Sequence, residues 1–136
     1  MNTTLNKIAS ALAFLIGAIA VVAGGLVLLG MPTDYYVINW LLLYNYTVGV
    51  LTVFITAILI WRNNKLALPA AIATFSAHAS VMLLLLIAYR GIVSAHSLED
   101  MTVRIVAWAI ILTLMFFQTR KNREINLHKV FKKNPE

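Results

Sequence analysis

The 136-residue chain has the length of one domain, yet 61% of its residues are hydrophobic and only 12% are charged, with a mean hydropathy of +0.84. Soluble domains average about 45 to 50% apolar and about 25% charged residues, so this composition excludes a water-soluble globule and a disordered chain. The absence of cysteine excludes disulfides, thiolate metal sites, iron–sulfur clusters and a cysteine nucleophile. The bilayer is therefore the expected solvent.

Four apolar segments, separated by short polar joints, follow one another along the chain. Each is close to the ~20 residues that a helix needs to cross ~30 Å of hydrocarbon. Transmembrane strands would be shorter and would alternate apolar with polar residues, and no such alternation is visible. A capping box from Ser97 to Asp100 is expected to start the fourth helix. We predict an all-α integral membrane protein, an antiparallel four-helix bundle formed by residues 1–117, with helices at about 8–29, 37–61, 66–89 and 98–117.

The lysine and arginine residues predict the orientation of this bundle. Of the 11, nine fall on one side of the membrane if the chain crosses four times, and the other two are Arg90 and Arg104. The positive-inside rule then places both termini in the cytoplasm, with the bundle in a bacterial inner membrane. A cleaved signal peptide is the alternative for the first segment, but its apolar core is longer than such peptides use.

Residues 118–136 form a basic tail after the fourth segment. Leu127, Val130 and Phe131 share one helical face beside three lysines. The tail is therefore either an amphipathic helix that lies on anionic lipid or a solvated segment that only sets the topology. This topology explains the sequence pI near 9.9, so no nucleic-acid partner is expected.

Small residues, including Gly17 and Gly24, line one face of the first segment, and Gly49 belongs to a similar face of the second. Such faces let membrane helices approach each other closely. They predict either a self-association surface or packing inside one bundle. We favour packing inside the bundle, because a four-helix bundle must bury such faces in any case.

The second segment adds polar groups to its small face. Asn45 lies among aromatic residues that include Tyr44, and Thr52 follows on the same helical face. An amide in hydrocarbon needs hydrogen-bond partners, so Asn45 should face protein or a wet cavity. The group predicts either a ligand pocket open to the outer side or an interfacial belt with one interhelical hydrogen bond.

His78 lies near the middle of the third segment, where an ionisable group is costly and is a functional candidate. It could relay a proton, ligate a haem iron, or form a hydrogen bond to Asn45 or a threonine of the second segment. A haem held by two histidines needs a second deep histidine, and the chain has none. His78 is the metal candidate within the bundle, and a copper site at His96 and Met101 would lack a recognised ligand motif. The main interpretation includes no cofactor, and haem is the alternative.

Arg104 is the one cation that falls within an apolar segment. Asp100 precedes it by four residues and Trp108 follows it by four, so an ion pair and a stacked ring would lower the cost of its burial. The group predicts either a site for an anion or a lipid headgroup, or an arginine that extends to the outer interface.

No catalytic pattern is recognisable: the chain lacks a Ser-His-Asp set, a glycine-rich phosphate loop and paired catalytic carboxylates. We predict a non-catalytic accessory or structural subunit of a membrane complex, which packs through its helix faces against a protein partner or a second copy and binds lipid. The first alternative is a small transporter or a hydrophobic-ligand-binding bundle, with Asn45, His78 and Arg104 around an outward-opening cavity. The second is a haem-binding redox protein that uses His78.

Overall fold

The computed structural model describes residues 3–133, and within them the chain is helical, without strands. Four long helices follow one another: α1 (Thr4–Leu28), α2 (Asn39–Trp61), α3 (Ala67–Ala88) and α4 (Ala95–Lys133). Each is long and apolar enough to cross a membrane. The predicted all-α class and the four long apolar helices are confirmed.

Local sequence explains where α1 and α2 end. After α1, Gly30 takes a left-handed φ of 93°, and its N–H donates to the carbonyl of Val27 at 3.0 Å. After α2, Asn63 does the same with a φ of 55° and a hydrogen bond to Ile60 at 3.0 Å. Glycine and asparagine are the residues that adopt this conformation most readily, so both ends form a Schellman motif.

The start of α4 differs from the sequence prediction. The backbone N–H of Ser97 donates to Ser94 Oγ at 3.2 Å, and the helix begins at Ala95. Ser94 is therefore the N-cap, and the prediction of Ser97 in that role is wrong. Ser94 has the same capping chemistry and ends the loop three residues earlier.

The fourth helix continues without a break through residue 117 to Lys133. No glycine or proline interrupts it between residues 95 and 133. Its 39 residues span about 58 Å at 1.5 Å per residue, roughly twice the thickness of a hydrocarbon core. The basic tail is thus a helical extension of α4 as far as Lys133, while residues 134–136 lie outside the described part.

The small face of α1 packs against α2. A Cβ built at Gly17 would lie 3.1 Å from the carbonyl oxygen of Gly49, and one built at Gly24 would lie 3.4 Å from Cβ of Tyr46. Nearer the start of α1, the Ser10 hydroxyl donates to the carbonyl of Ala57 at 2.6 Å. The two backbones approach each other at Gly17 and Gly49, where neither helix carries a side chain.

A π-helical turn at Thr52–Thr56 interrupts α2. A π turn uses more residues than an α turn and therefore changes which residues face the bundle. The buried residues of α2 here are Thr52 and Thr56 within the turn, and Ala57 and Ile60 after it.

Polar contacts close one end of the bundle, which we call the amide end. It contains the start of α1, the turn between α2 and α3, and the part of α4 around Gln118. The Asn6 amide donates to Asn63 Oδ1, and the Leu5 backbone N–H donates to Gln118 Oε1 at 3.0 Å. These bonds join three separate parts of the chain.

Ring contacts close the opposite end, which we call the aromatic end. It contains the turn between α1 and α2 and the loop between α3 and α4. Trp40 Nε1 donates to the Tyr89 hydroxyl at 3.0 Å, and the Tyr35 and His96 rings lie 4.6 Å apart. Both contacts bridge segments distant in the chain.

Two apolar cores occupy the interior. The larger, near the amide end, is centred on Ile60, Trp108 and Ile111, and the smaller, near the aromatic end, on Leu85 and Met101. Along α2, α3 and α4, the polar residues discussed next fall between residues of the two cores. The interior is therefore layered: apolar, polar, apolar.

Candidate functional site

A polar layer lies at the middle of the bundle, and it brings together residues from three helices. Arg104 of α4 donates from its guanidinium to Asn45 Oδ1 of α2. This bond gives the amide the partner that burial requires and gives the guanidinium one acceptor. Asn45 and Arg104, predicted separately from the sequence, form a pair in the structure.

The second contact of the polar layer joins α2 to α3. The Tyr44 hydroxyl lies 3.1 Å from His78 Nδ1, and the two rings meet edge to face with centroids 5.8 Å apart. His78 is 3% exposed, so one ring nitrogen finds its partner inside the protein. The sequence predicted a partner on α2 but named Asn45 or a threonine rather than Tyr44.

A small cavity lies within the polar layer, between Gly17 of α1 and the side chains of Asn45, Thr52, His78 and Arg104. It gives the centre of a water molecule about 10 Å³ of space, which is close to the room that a single water needs. The space is far below the ~300 to 1,000 Å³ of ordinary small-molecule pockets.

Trp108 lines the same cavity and is fully buried. Its Nε1 is one of two buried side-chain polar atoms in residues 3–133 that have no hydrogen-bond partner. An indole N–H is satisfied by a single acceptor, and the described chain supplies none. The layer is a partly buried hydrogen-bonding cluster around a water-sized cavity.

Asp100 does not pair with Arg104 as the spacing predicted. Its carboxylate lies 3.8 Å from His96 Nε2 instead, one turn earlier in α4. Both side chains are about half exposed, so this contact is weak. In the described part of the chain, the Arg104 guanidinium donates a hydrogen bond to the neutral amide of Asn45 and forms no ion pair.

Residues 3–133 contain no cluster of side chains that could hold a metal ion. No group of three or more His, Asp or Glu side chains gathers there. His78 stands apart from His96, which contacts Tyr35 and Asp100 at the aromatic end.

A second polar region, at the amide end, was not predicted from the sequence. A pocket of about 600 Å³ lies between the turn after α2 and the extension of α4, and we call it the asparagine pocket. It is lined by Asn6, Asn63, Asn64, Lys65, Ala67, Leu68, Met115, Thr119, Asn122, Arg123, Asn126, Leu127 and Val130. The available signals were the polar run 62–65 and the one-turn spacing of two asparagines in the tail.

Replacing Tyr44 with phenylalanine is expected to lower the free energy of unfolding by about 0.6 to 1.7 kcal/mol, because His78 loses its partner while the ring remains. Tyr46→Phe is the matched control, since among residues 3–133 the Tyr46 hydroxyl forms no hydrogen bond. Denaturant titration of the purified chain in mixed micelles, followed by helical circular dichroism, measures both. Equal effects of the two changes would show that the Tyr44–His78 bond contributes nothing.

Comparisons with known proteins give no indication of the function of this chain. No family model, no curated protein and no solved structure matches the sequence or the fold.

Proposed function

We propose that the protein is a non-catalytic subunit of a membrane complex, inserted as an antiparallel four-helix bundle with both termini in the cytoplasm of a bacterial cell. In this role it packs through its apolar helix faces against a protein partner and binds anionic lipid at its basic end. The polar layer acts as an internal lock that holds three of the helices in register.

The pairing of α1 with α2 supports the antiparallel arrangement. Ser10, Gly17 and Gly24 lie against Ala57, Gly49 and Tyr46 respectively, so the partner number falls as the α1 number rises. The amide and aromatic ends each gather contacts from consecutive helices, as helices that alternate in direction require.

The charge distribution supports the orientation. Apart from Arg90 and Arg104, all of the lysine and arginine residues belong to the amide end or to the α4 extension beyond it. The positive-inside rule places that end in the cytoplasm. On the same assignment, the Trp40–Tyr89 contact lies at the outer interface, where amphipathic rings are favoured.

The observation that carries the non-catalytic assignment is the small size of the cavity in the polar layer. Asn45, His78 and Arg104 are engaged with protein partners around a water-sized cavity, which leaves no substrate-sized space among them. Large apolar side chains instead lie exposed on every helix, including Phe14, Phe54, Ile87 and Phe116. Side chains of this kind suit a surface covered by lipid and by the helices of a partner.

The orientation is tested by cysteine labelling, which is unambiguous because the chain has no cysteine of its own. Ala95 and Lys129 are both exposed, at the aromatic end and in the extension of α4. With a membrane-impermeant maleimide, Ala95→Cys is expected to react in intact cells whose outer membrane is opened. Lys129→Cys is expected to react only after the inner membrane is permeabilised. The reverse pattern would contradict the proposed orientation.

The subunit assignment is tested by extracting the tagged chain, at its native expression level, into a mild detergent and measuring its mass. We expect a complex well above the 15.1 kDa of one chain, with the same partner recovered when that partner is tagged instead. A clean monomer, or an assembly that contains only copies of this chain, would contradict the assignment.

A further inference from the structure

In the asparagine pocket, three side-chain amide oxygens accept hydrogen bonds from the protein, while the NH₂ groups of the same side chains donate none to the described residues. Asn64 Oδ1 accepts from the backbone N–H of Leu66 at 2.9 Å, and Asn122 Oδ1 accepts from Gln118 Nε2 at 3.2 Å. Asn63 Oδ1 is likewise occupied by the Asn6 amide. Within residues 3–133, the NH₂ groups of these three asparagines have no protein acceptor, so each amide offers a donor.

Lys65 and Arg123 add positive charge to these donors. Both line the pocket, and its described lining contains no aspartate or glutamate. Lysine and arginine have donors but no acceptors, and arginine matches the oxygens of a phosphate with two parallel hydrogen bonds. An anionic group that carries several oxygens fits this set.

Asn6 fixes one side of the pocket. It lines the pocket, is 7% exposed, and its NH₂ group donates to Asn63 Oδ1. Its own Oδ1 is buried and is not part of the accessible pocket surface. The pocket therefore offers a ligand the NH₂ groups of the other asparagines together with the positive charges, which fit an anionic group.

An apolar wall gives the pocket its third property. Leu68 and Met115 line it on the side of the bundle, and Leu127 and Val130 line it on the extension of α4. A pocket with polar groups and apolar walls at the end of membrane-spanning helices suits an amphiphile, with its headgroup at the asparagines and its chains along the helices.

We propose that the asparagine pocket binds the headgroup of an anionic glycerophospholipid of the cytoplasmic leaflet. The phosphate is held by Lys65, Arg123 and the asparagine NH₂ groups, and the acyl chains lie along the apolar wall. This proposal deepens the lipid binding of the proposed function and rests on its orientation. The lipid-binding site is then this pocket and not the basic tail as a whole.

The test uses the purified, delipidated full chain and short-chain phosphatidylglycerol as the probe, with phosphatidylcholine of the same chain length as the zwitterionic comparison of zero net charge. Lys65→Gln combined with Arg123→Gln removes two pocket charges. Lys129→Gln combined with Lys133→Gln removes the same charge from exposed positions of α4 that do not line the pocket. Native mass spectrometry measures the lipid affinity of each, and circular dichroism confirms that each is folded.

We expect the pocket variant to lose about 10- to 30-fold in phosphatidylglycerol affinity, and the control variant to stay within about threefold of the parent chain. Equal losses in the two variants, or equal binding of phosphatidylcholine by the parent chain, would overturn the proposal. A second titration uses glycerol 1-phosphate in place of the lipid. If it binds as tightly as the lipid, the phosphate site stands but a soluble phosphate ester is its source, which overturns the lipid assignment.

The outcome is independent of the subunit assignment. Lipid titration needs no partner protein, and the mass of the native complex does not depend on the asparagine pocket. Failure of the lipid test with an intact complex would overturn this inference alone.

Discussion

Replacing Asn45 with leucine is expected to lower the free energy of unfolding by about 1.5 to 3 kcal/mol, the usual contribution of a hydrogen bond to a charged group. Asn45 Oδ1 is the side-chain acceptor that the structure gives the Arg104 guanidinium, and the change removes it while the charge stays inside the bundle. Denaturant titration in mixed micelles measures the effect.

Thr47→Leu provides the control for this change. Thr47 belongs to the same helix, is exposed, and makes no side-chain hydrogen bond in the described part of the chain. Its replacement is expected to change stability by no more than about 0.5 kcal/mol. Asn45→Asp keeps the acceptor and adds a countercharge, so most of the stability should be retained. If Asn45→Leu proves as mild as Thr47→Leu, the polar layer does not hold the helices together.

Replacing Gly17 with alanine is the second change with a large expected effect. The added methyl group would lie 2.9 Å from Val53 Cγ2 and 3.1 Å from the Gly49 carbonyl oxygen, and the backbone atom cannot move aside without separating α1 from α2. Overpacking of this kind costs about 1 to 3 kcal/mol. Gly17→Leu is expected to prevent α1 from docking altogether.

Gly25 supplies the matched control, because a methyl group there would meet only the Tyr46 ring edge, at 3.6 Å. Gly25→Ala should leave stability unchanged or raise it slightly, since alanine has the higher helix propensity. Unfolding of both variants is followed under the same denaturant conditions. Equal effects at the two positions would mean that the close approach of α1 and α2 is not needed for stability.

The four apolar helices could be predicted from the sequence because segment length and composition determine them directly. The depth of Asn45, His78 and Arg104 could be predicted for the same reason, since position along a helix gives depth in the bundle. Their partners could not. Whether His78 meets Tyr44 or Asn45 depends on the rotation of α2, and the π-helical turn at Thr52–Thr56 is not evident from residue spacing.

The asparagine pocket could not be predicted from the sequence, for a different reason. Its asparagines come from the start of α1, from the turn after α2 and from the α4 extension, and none of these segments alone has a distinctive pattern. The pocket also needs α4 to continue beyond residue 117, whereas the sequence was divided there between bundle and tail. Apolar content ends at that point, but helix propensity does not.

The proposed lock in the polar layer is tested most directly by a double-mutant cycle on Asn45 and Arg104. The measured quantity is the free energy of unfolding of the parent chain, Asn45→Leu, Arg104→Leu and the double variant. We expect the double variant to recover much of the stability lost in Asn45→Leu, with a coupling free energy of about 1 kcal/mol or more, because removing both partners leaves no charge without its hydrogen-bond partner. Additive effects, within about 0.5 kcal/mol, would contradict a structural lock between α2 and α4.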